Sequence, residues 1–245
     1  MKPEKKSLTI NKLKVTYYKA GKGRTVVFFH GGRTRALSFK KYLYLLSLKH
    51  EVIAPDIPGY GDSDTPNEIW SFIEYGKFFS EFLKKLNLTN VTVIGYSMGG
   101  GIAFNVASQN KNVSKLILID SSGISTTRNP LLSELRRVYF YLSHPQYYVP
   151  SILLLKEYLL FRKKHLFSIK KIDMIRNKCH ETDYSEILSA LSTKTLLIWG
   201  IDDWIYPLSV ANKFNKLLPK SELMTVNGTH DWLYYNPLLN KYNIL

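Results

Sequence analysis

Gly95-Tyr96-Ser97-Met98-Gly99 comes directly after the apolar run Val91-Thr92-Val93-Ile94 and leads into the small-residue stretch Gly100–Ser108. The β-branched run predicts a buried strand, and the small residues predict a helix packed closely upon it. A serine on so tight a strand-to-helix turn is held in a strained backbone conformation, so its neighbours must be small. Gly95 and Gly99 supply that room. The turn lifts the Ser97 hydroxyl clear of the sheet and aims the free N–H groups of a helix N-terminus at whatever lies beside it. That placement suits a nucleophile that attacks a carbonyl. The same pattern also describes an ordinary loop with a serine cap, so partners for a nucleophile must be found further along the chain.

A serine nucleophile needs a base within hydrogen-bond reach, and the base needs an acceptor that fixes its tautomer and stabilises its cation. Trp199-Gly200-Ile201-Asp202-Asp203, with Pro207 beyond it, offers the carboxylate; Asn227-Gly228-Thr229-His230, with Pro237 beyond it, offers the imidazole. Each segment comes just past a strand-like run, Thr195–Trp199 and Glu222–Val226. His30 and His50 sit beside early strands, His144, His165 and His180 lie in a long middle segment, and only His230 comes after the last strand.

Around these segments the chain alternates strands and helices. Ser7–Ile10 and Lys14–Tyr18 predict an opening hairpin that turns near Asn11-Lys12. Strands are predicted at Thr25–Phe29, Val52–Ala54 and Lys115–Ile119, with helices over Ala36–Leu48, Ile69–Leu86 and Leu208–Leu218 and a helical segment at the end. The alternation predicts an α/β fold, a mostly parallel central sheet flanked by helices, in which chemistry gathers at the carboxyl ends of the strands. It is interrupted from about 121 to 192 by a segment rich in Leu, Tyr, Phe, Lys and Arg that predicts short helices around Pro130, Pro145 and Pro150. The domains expected are therefore a core of residues 1–120 and 193–245 and a helical cap of residues 121–192 placed over Ser97.

With these motifs in order, the chain resembles a capped serine hydrolase of the α/β-hydrolase fold family, of the esterase and lipase-like kind. His30-Gly31-Gly32 is similar to the family's oxyanion loop and Asp56-Ile57-Pro58-Gly59-Tyr60-Gly61-Asp62-Ser63 to its D-x-P-G-x-G-x-S turn. Gly95–Gly100 matches the G-x-S-M-G-G elbow, and Gly200-x-x-Asp203 and His230 match the acid and base segments. The resemblance implies Ser97 as nucleophile, His230 as base and Asp203, rather than Asp202, as acid. It implies backbone N–H groups of Gly32 and Met98 as the oxyanion hole. Asp120 stands at an alternative position for the acid in this fold and is expected to order the beginning of the cap. His30 is expected to hold its glycine loop, the Asp56–Ser63 turn to be scaffold, and Cys179 to be inert. Arg33 departs from the family pattern and is open to two readings, contact with solvent or with an anionic group of the substrate. Tyr139, Tyr141, Tyr147 and Tyr148 either line an acyl pocket or pack the cap's helices.

Composition bounds the rest. A chain of 245 residues with 45% hydrophobic and 22% charged content can bury a substantial core. Its formal net charge of +15 raises nucleic acid, anionic membrane and acidic substrates as partners. The basic residues run from Lys2 to Lys241 without a recognition helix, zinc spacing or RNA-binding aromatic motif, which argues against specific nucleic-acid binding. Leu159-Leu160-Phe161-Arg162-Lys163-Lys164 places apolar and basic residues side by side and keeps weak anionic-membrane association open through the cap. A lone cysteine allows no internal disulfide or thiolate metal site, and the first residues lack the apolar core of a signal peptide. A cytoplasmic protein is expected. The function expected is cleavage of a carboxylic ester of small to medium apolar size through an acyl-enzyme on Ser97, with no cofactor and no metal. The alternatives are hydrolysis of a carbon–carbon bond in a diketone-like substrate and a non-catalytic small-molecule receptor on the same fold.

Overall fold

The computed structural model describes residues 3–125, 135, 138–140, 142–144 and 148–235. Eight strands form one sheet: β1 (Glu4–Ile10), β2 (Leu13–Ala20), β3 (Thr25–Phe29), β4 (Glu51–Pro55), β5 (Val91–Tyr96), β6 (Val113–Ile119), β7 (Lys194–Gly200) and β8 (Ser221–Val226). Their order is β1-β2-β4-β3-β5-β6-β7-β8. β1 and β2 pair antiparallel, as do β2 and β4, and every later neighbour is parallel. The carboxyl ends of β3, β5, β6, β7 and β8 therefore open on one edge.

Strand alternation divides the core between the two faces. Val27 and Phe29 of β3, Val91 and Val93 of β5, and Leu116 and Leu118 of β6 point to one side. There they meet α2 (Phe72–Lys85), α3 (Met98–Gln109) and α7 (Leu208–Leu217). Val26, Phe28, Ile94, Ile117 and Ile119 point to the other, against the 3₁₀ turn Ala36–Phe39, α1 (Lys40–Ser47) and α8 (Trp232–Tyr235). Each fully buried Phe, Ile or Leu contributes about 1.5–3 kcal/mol. Successive side chains thus glue helices to both faces, as the parallel pattern requires.

Element boundaries follow local chemistry. The apolar spacing predicted a helix from Ile69, but α2 starts at Phe72 because Ser71 caps it. The Ser71 hydroxyl accepts from Ile73 N at 3.2 Å and Glu74 Oε2 accepts from Ser71 N at 2.6 Å. The predicted Ala36 helix opens as a 3₁₀ turn, its Ala36 N–H donating to Asp56 Oδ1 at 2.8 Å.

Between β6 and β7 lie α4 (Tyr148–Lys164), α5 (Ile169–Glu181) and α6 (Ser185–Ala190). Pro150 stands in the first turn of α4, where its missing N–H costs nothing, so one long helix runs where short ones were expected. Phe161 stacks on Tyr60 with ring centroids 5.5 Å apart, and Tyr184 accepts from Phe72 N at 3.0 Å. Buried Cys179 sits beside the Trp70 carbonyl, and burial pushes its thiol far above the usual range. Pro130, Tyr141, Pro145, Tyr147 and Pro237 lie outside the described residues, as does the side chain of Tyr148, while Tyr139 is exposed. No helix among the described residues is long and apolar enough to cross a membrane.

Candidate active site

β5 runs straight into α3, and Ser97 occupies the single residue between them with φ 53° and ψ −121°. A non-glycine residue in this region costs on the order of 1–3 kcal/mol, so its surroundings must hold it there. They do so through its carbonyl. Ser97 O accepts from Gly100 N at 2.8 Å, and from both the N–H and the hydroxyl of Ser122 at 3.1 Å. The two glycines of the elbow are close-approach positions. A Cβ on Gly95 would collide with the Gly99 carbonyl, and one on Gly99 with the Phe29 carbonyl that ends β3.

His230 reaches Ser97 from the loop after β8. Its Nε2 lies 3.0 Å from Ser97 Oγ and its Nδ1 lies 2.8 Å from Asp203 Oδ2. Asp203 Oδ1 is held in turn by the N–H groups of Ile205 and Tyr206, at 2.7 and 2.8 Å. Asp203 and His230 are each 4% exposed, whereas neighbouring Asp202 is exposed to solvent. Tyr96 fixes the histidine from behind, donating its hydroxyl to the His230 carbonyl at 2.9 Å. Burial disfavours the imidazolium, but the charge and hydrogen bond of Asp203, aided by Asp231, outweigh it and raise His230 to about 9.

Gly32 lies against Met98, the first residue of α3: a Cβ there would sit 3.4 Å from Met98 Sδ. The two residues border Ser97 from the end of β3 and from the helix N-terminus, whose first N–H groups have no partner within the helix. A carbonyl placed over Ser97 can therefore meet backbone donors, and a developing negative charge can be stabilised.

Three neighbours bear on roles read from the sequence. Asp120 does not order the beginning of the 121–192 segment. It is fully buried at the end of β6, and its Oδ1 accepts from Gly200 N at 2.8 Å, tying β6 to β7. Burial and then the charge of Asp203 push its carboxyl well above the usual range, which favours a neutral acid there. Asp120, Asp203 and His230 offer ligand atoms within 4.8 Å of one another, a grouping that could hold a cation, yet His230 Nδ1 is already committed to Asp203. Arg33 pairs with Asp173 of α5 at 3.3 Å and lies over the Tyr158 ring of α4, with its side chain still partly open to solvent. His30 is fully buried, with Nδ1 2.7 Å from Gly31 O and Nε2 accepting from Ile57 N at 3.0 Å. Burial lowers it to about 4, so it stays neutral while joining the glycine loop to the Asp56–Ser63 turn.

Sequence reasoning missed Tyr96 and Ser122 as positioning residues. Tyr96 fills the variable place of the elbow motif, and Ser122 belongs to no spaced motif at all; the only signal was position, beside Ser97 and just past β6. A cavity of about 470 Å³ lies off the Ser97 centre, lined by Thr34, Arg35, Asp62, Glu157, Phe161 and His165 among others.

This arrangement accompanies a matching family model, described as the alpha/beta hydrolase fold, over residues 24–148. The chain belongs to the α/β-hydrolase fold family. The uncharacterized hydrolase YugF of Bacillus subtilis is 26% identical over 226 residues, 84% of this chain and 82% of that protein. A 2-hydroxy-6-oxononadienedioate/2-hydroxy-6-oxononatrienedioate hydrolase of Cupriavidus pinatubonensis is 27% identical over 229 residues, 83% of this chain and 78% of its own length. Among solved structures, a serine hydrolase involved in carbazole degradation superposes with a TM-score of 0.81 at 21% identity, over 96% of this chain and 94% of the other. A membrane phospholipase A superposes with a TM-score of 0.80 at 20% identity, over 96% and 82%. These two structures share the α/β-hydrolase fold with this chain.

Proposed function

We propose that this protein is a serine hydrolase that cleaves a carboxylic ester through an acyl-enzyme on Ser97. The observation that carries the reading is the unbroken series Ser97 Oγ, His230 Nε2, His230 Nδ1 and Asp203 Oδ2, joined at 3.0 and 2.8 Å. His230 takes the Ser97 proton as Oγ bonds to the ester carbonyl carbon, and Gly32 and Met98 N–H groups stabilise the resulting oxyanion. The tetrahedral intermediate then collapses, its carbon–oxygen bond breaks, and His230 returns the proton to the leaving alcohol. Water, deprotonated by His230, then attacks the acyl carbon, the bond from that carbon to Ser97 Oγ breaks, and His230 returns the proton to Ser97 as the acid leaves. Asp203 holds the imidazole tautomer and stabilises its cation throughout. The reaction needs neither cofactor nor metal.

Residues 121–192 act in this reading as a cap over Ser97. Support comes from α4 and α5, which come after the carboxyl end of β6 and touch both loops flanking the site, through Phe161 on Tyr60 and Asp173 on Arg33. The substrate is an apolar ester of small to medium size, and the protein works in the cytoplasm.

Carbon–carbon bond hydrolysis is the second reading, favoured by the similarity to the Cupriavidus hydrolase across most of both chains. Both reactions begin at a carbonyl carbon, so products separate them. Turnover of p-nitrophenyl esters, with no cleavage of a diketone to acid and ketone fragments, supports the ester reading; the converse profile transfers the site to carbon–carbon chemistry.

A further inference from the structure

α4 turns one acidic residue inward and several large apolar residues outward. Glu157 faces the body of the protein, where its carboxylate accepts from Arg35 Nε at 3.1 Å and from Ser38 Oγ at 2.9 Å. Phe161, one turn on, is buried against Tyr60. Ile152, Leu155 and Leu159 repeat at intervals of three and four residues on the opposite side of the helix, 64%, 56% and 57% exposed. Beyond the helix end, Leu166 is exposed and Phe167 stands fully in solvent at 101%. A helix of a water-soluble protein ordinarily turns its leucines inward and its charges outward. Here the arrangement points to something apolar outside.

Charge indicates what that is. Arg162 borders the apolar stripe on one side and Lys156 and Lys163 on the other, by their helical positions, and all three are exposed. The described acids nearby are already engaged within the protein, Glu157 with Arg35 and Asp173 with Arg33 and Arg176. An apolar stripe between basic flanks matches the boundary of an anionic bilayer, acyl chains within and phosphates around. A second copy fits poorly: it would bring the same cations face to face on a chain with formal net charge +15.

We propose that the outer face of α4 and the turn at Leu166-Phe167 dock this protein on anionic lipid bilayers. Leu155, Leu159 and Phe167 enter the acyl boundary, and Lys156, Arg162 and Lys163 meet the lipid phosphates. The contact is peripheral. It does not rest on the ester reading, because none of these residues takes part in Ser97 chemistry.

Vesicle sedimentation tests it, using phosphatidylcholine alone and phosphatidylcholine mixed with phosphatidylserine. The protein is expected to partition onto the anionic vesicles and not onto the neutral ones, with binding that weakens as salt rises. Lys156→Gln/Arg162→Gln/Lys163→Gln should lower the partition coefficient on the order of 100-fold. Leu155→Ser/Leu159→Ser/Phe167→Ser should abolish binding while leaving the thermal melt and hydrolysis of a soluble ester unchanged. Ser97→Ala should bind as the parent does, so loss of catalysis and loss of docking are read separately. Absence of partition at low salt overturns the proposal. So does undiminished binding by the apolar variant, which would reduce the effect to attraction by a basic surface. A concentration-dependent dimer in sedimentation velocity that this variant dissociates would give the face to a second copy instead.

Discussion

Asp120 and Asp203 lie beyond the ends of neighbouring strands beside the same imidazole, but only Asp203 is bonded to it: Asp203 Oδ2 lies 2.8 Å from His230 Nδ1, while Asp120 Oδ1 holds Gly200 N. Two carboxyls this close cannot both carry charge cheaply, and the fully buried Asp120 is the one pushed toward its neutral form. The pair therefore divides its tasks. The Asp203 carboxyl holds the His230 imidazole, and the Asp120 carboxyl ties the ends of β6 and β7.

Substitution should separate them. Asp203→Asn keeps the shape of the site but loses tautomer control, and turnover should fall by on the order of 10⁴-fold, the magnitude of the serine-protease precedent. Asp120→Asn mimics the neutral acid and should retain activity within about tenfold. Steady-state kinetics with an activated ester decide the matter, and the reverse pattern would move the acid to β6.

The pH profile follows from His230. The base must be neutral to accept the Ser97 proton; burial opposes its cation, yet Asp203 raises its folded value to about 9. Activity should therefore be low in acid and rise with pH through the His230 titration on the alkaline side of neutrality. In Asp203→Asn the residual activity should rise at lower pH, because the stabilising charge is gone. A profile of kcat/KM against pH with no ionisation between about 8 and 10 would contradict His230 as the base.

The elbow makes a stability prediction. Gly99→Ala drives a Cβ into the Phe29 carbonyl, backbone against backbone, and should cost roughly 1–3 kcal/mol or more. Gly32→Ala first meets the flexible Met98 side chain, at 3.4 Å, and should melt within a few degrees of the parent. Thermal unfolding of the two variants tests the claim, and a Gly99→Ala protein as stable as the parent would mean the elbow is looser than its contacts imply.

Substrate size gives a further test. If the 121–192 segment forms an apolar pocket over Ser97, each added methylene gains at most about 0.8 kcal/mol until the pocket is full. Specificity constants for p-nitrophenyl esters should climb with acyl length and then fall. A flat series from acetate to decanoate would show that the segment does not select by length.

Much of this architecture was legible in the residues alone. Apolar runs such as Val91–Ile94 and Lys115–Ile119 carry their strand signal locally, and the Ser97, Asp203 and His230 segments each stand just past such a run. What escaped were contacts set by sheet order. β6 lies between β5 and β7, so Asp120 and Ser122 arrive beside Asp203 and Ser97 from positions no spacing rule links. Arg33 likewise meets Asp173, 140 residues away, so its partner could not be read from its neighbours. Starts of helices shifted for local reasons, as where the Ser71 cap trimmed the predicted Ile69 start of α2 to Phe72.

The central claim is that Ser97 becomes covalently acylated, and one measurement reaches it directly. The folded protein is treated with a fluorophosphonate, digested, and the adduct located by peptide mass spectrometry. One adduct is expected, on Ser97, and it should be lost in His230→Ala as the base is removed. An adduct on another residue, or no adduct in folded protein, would contradict the claim.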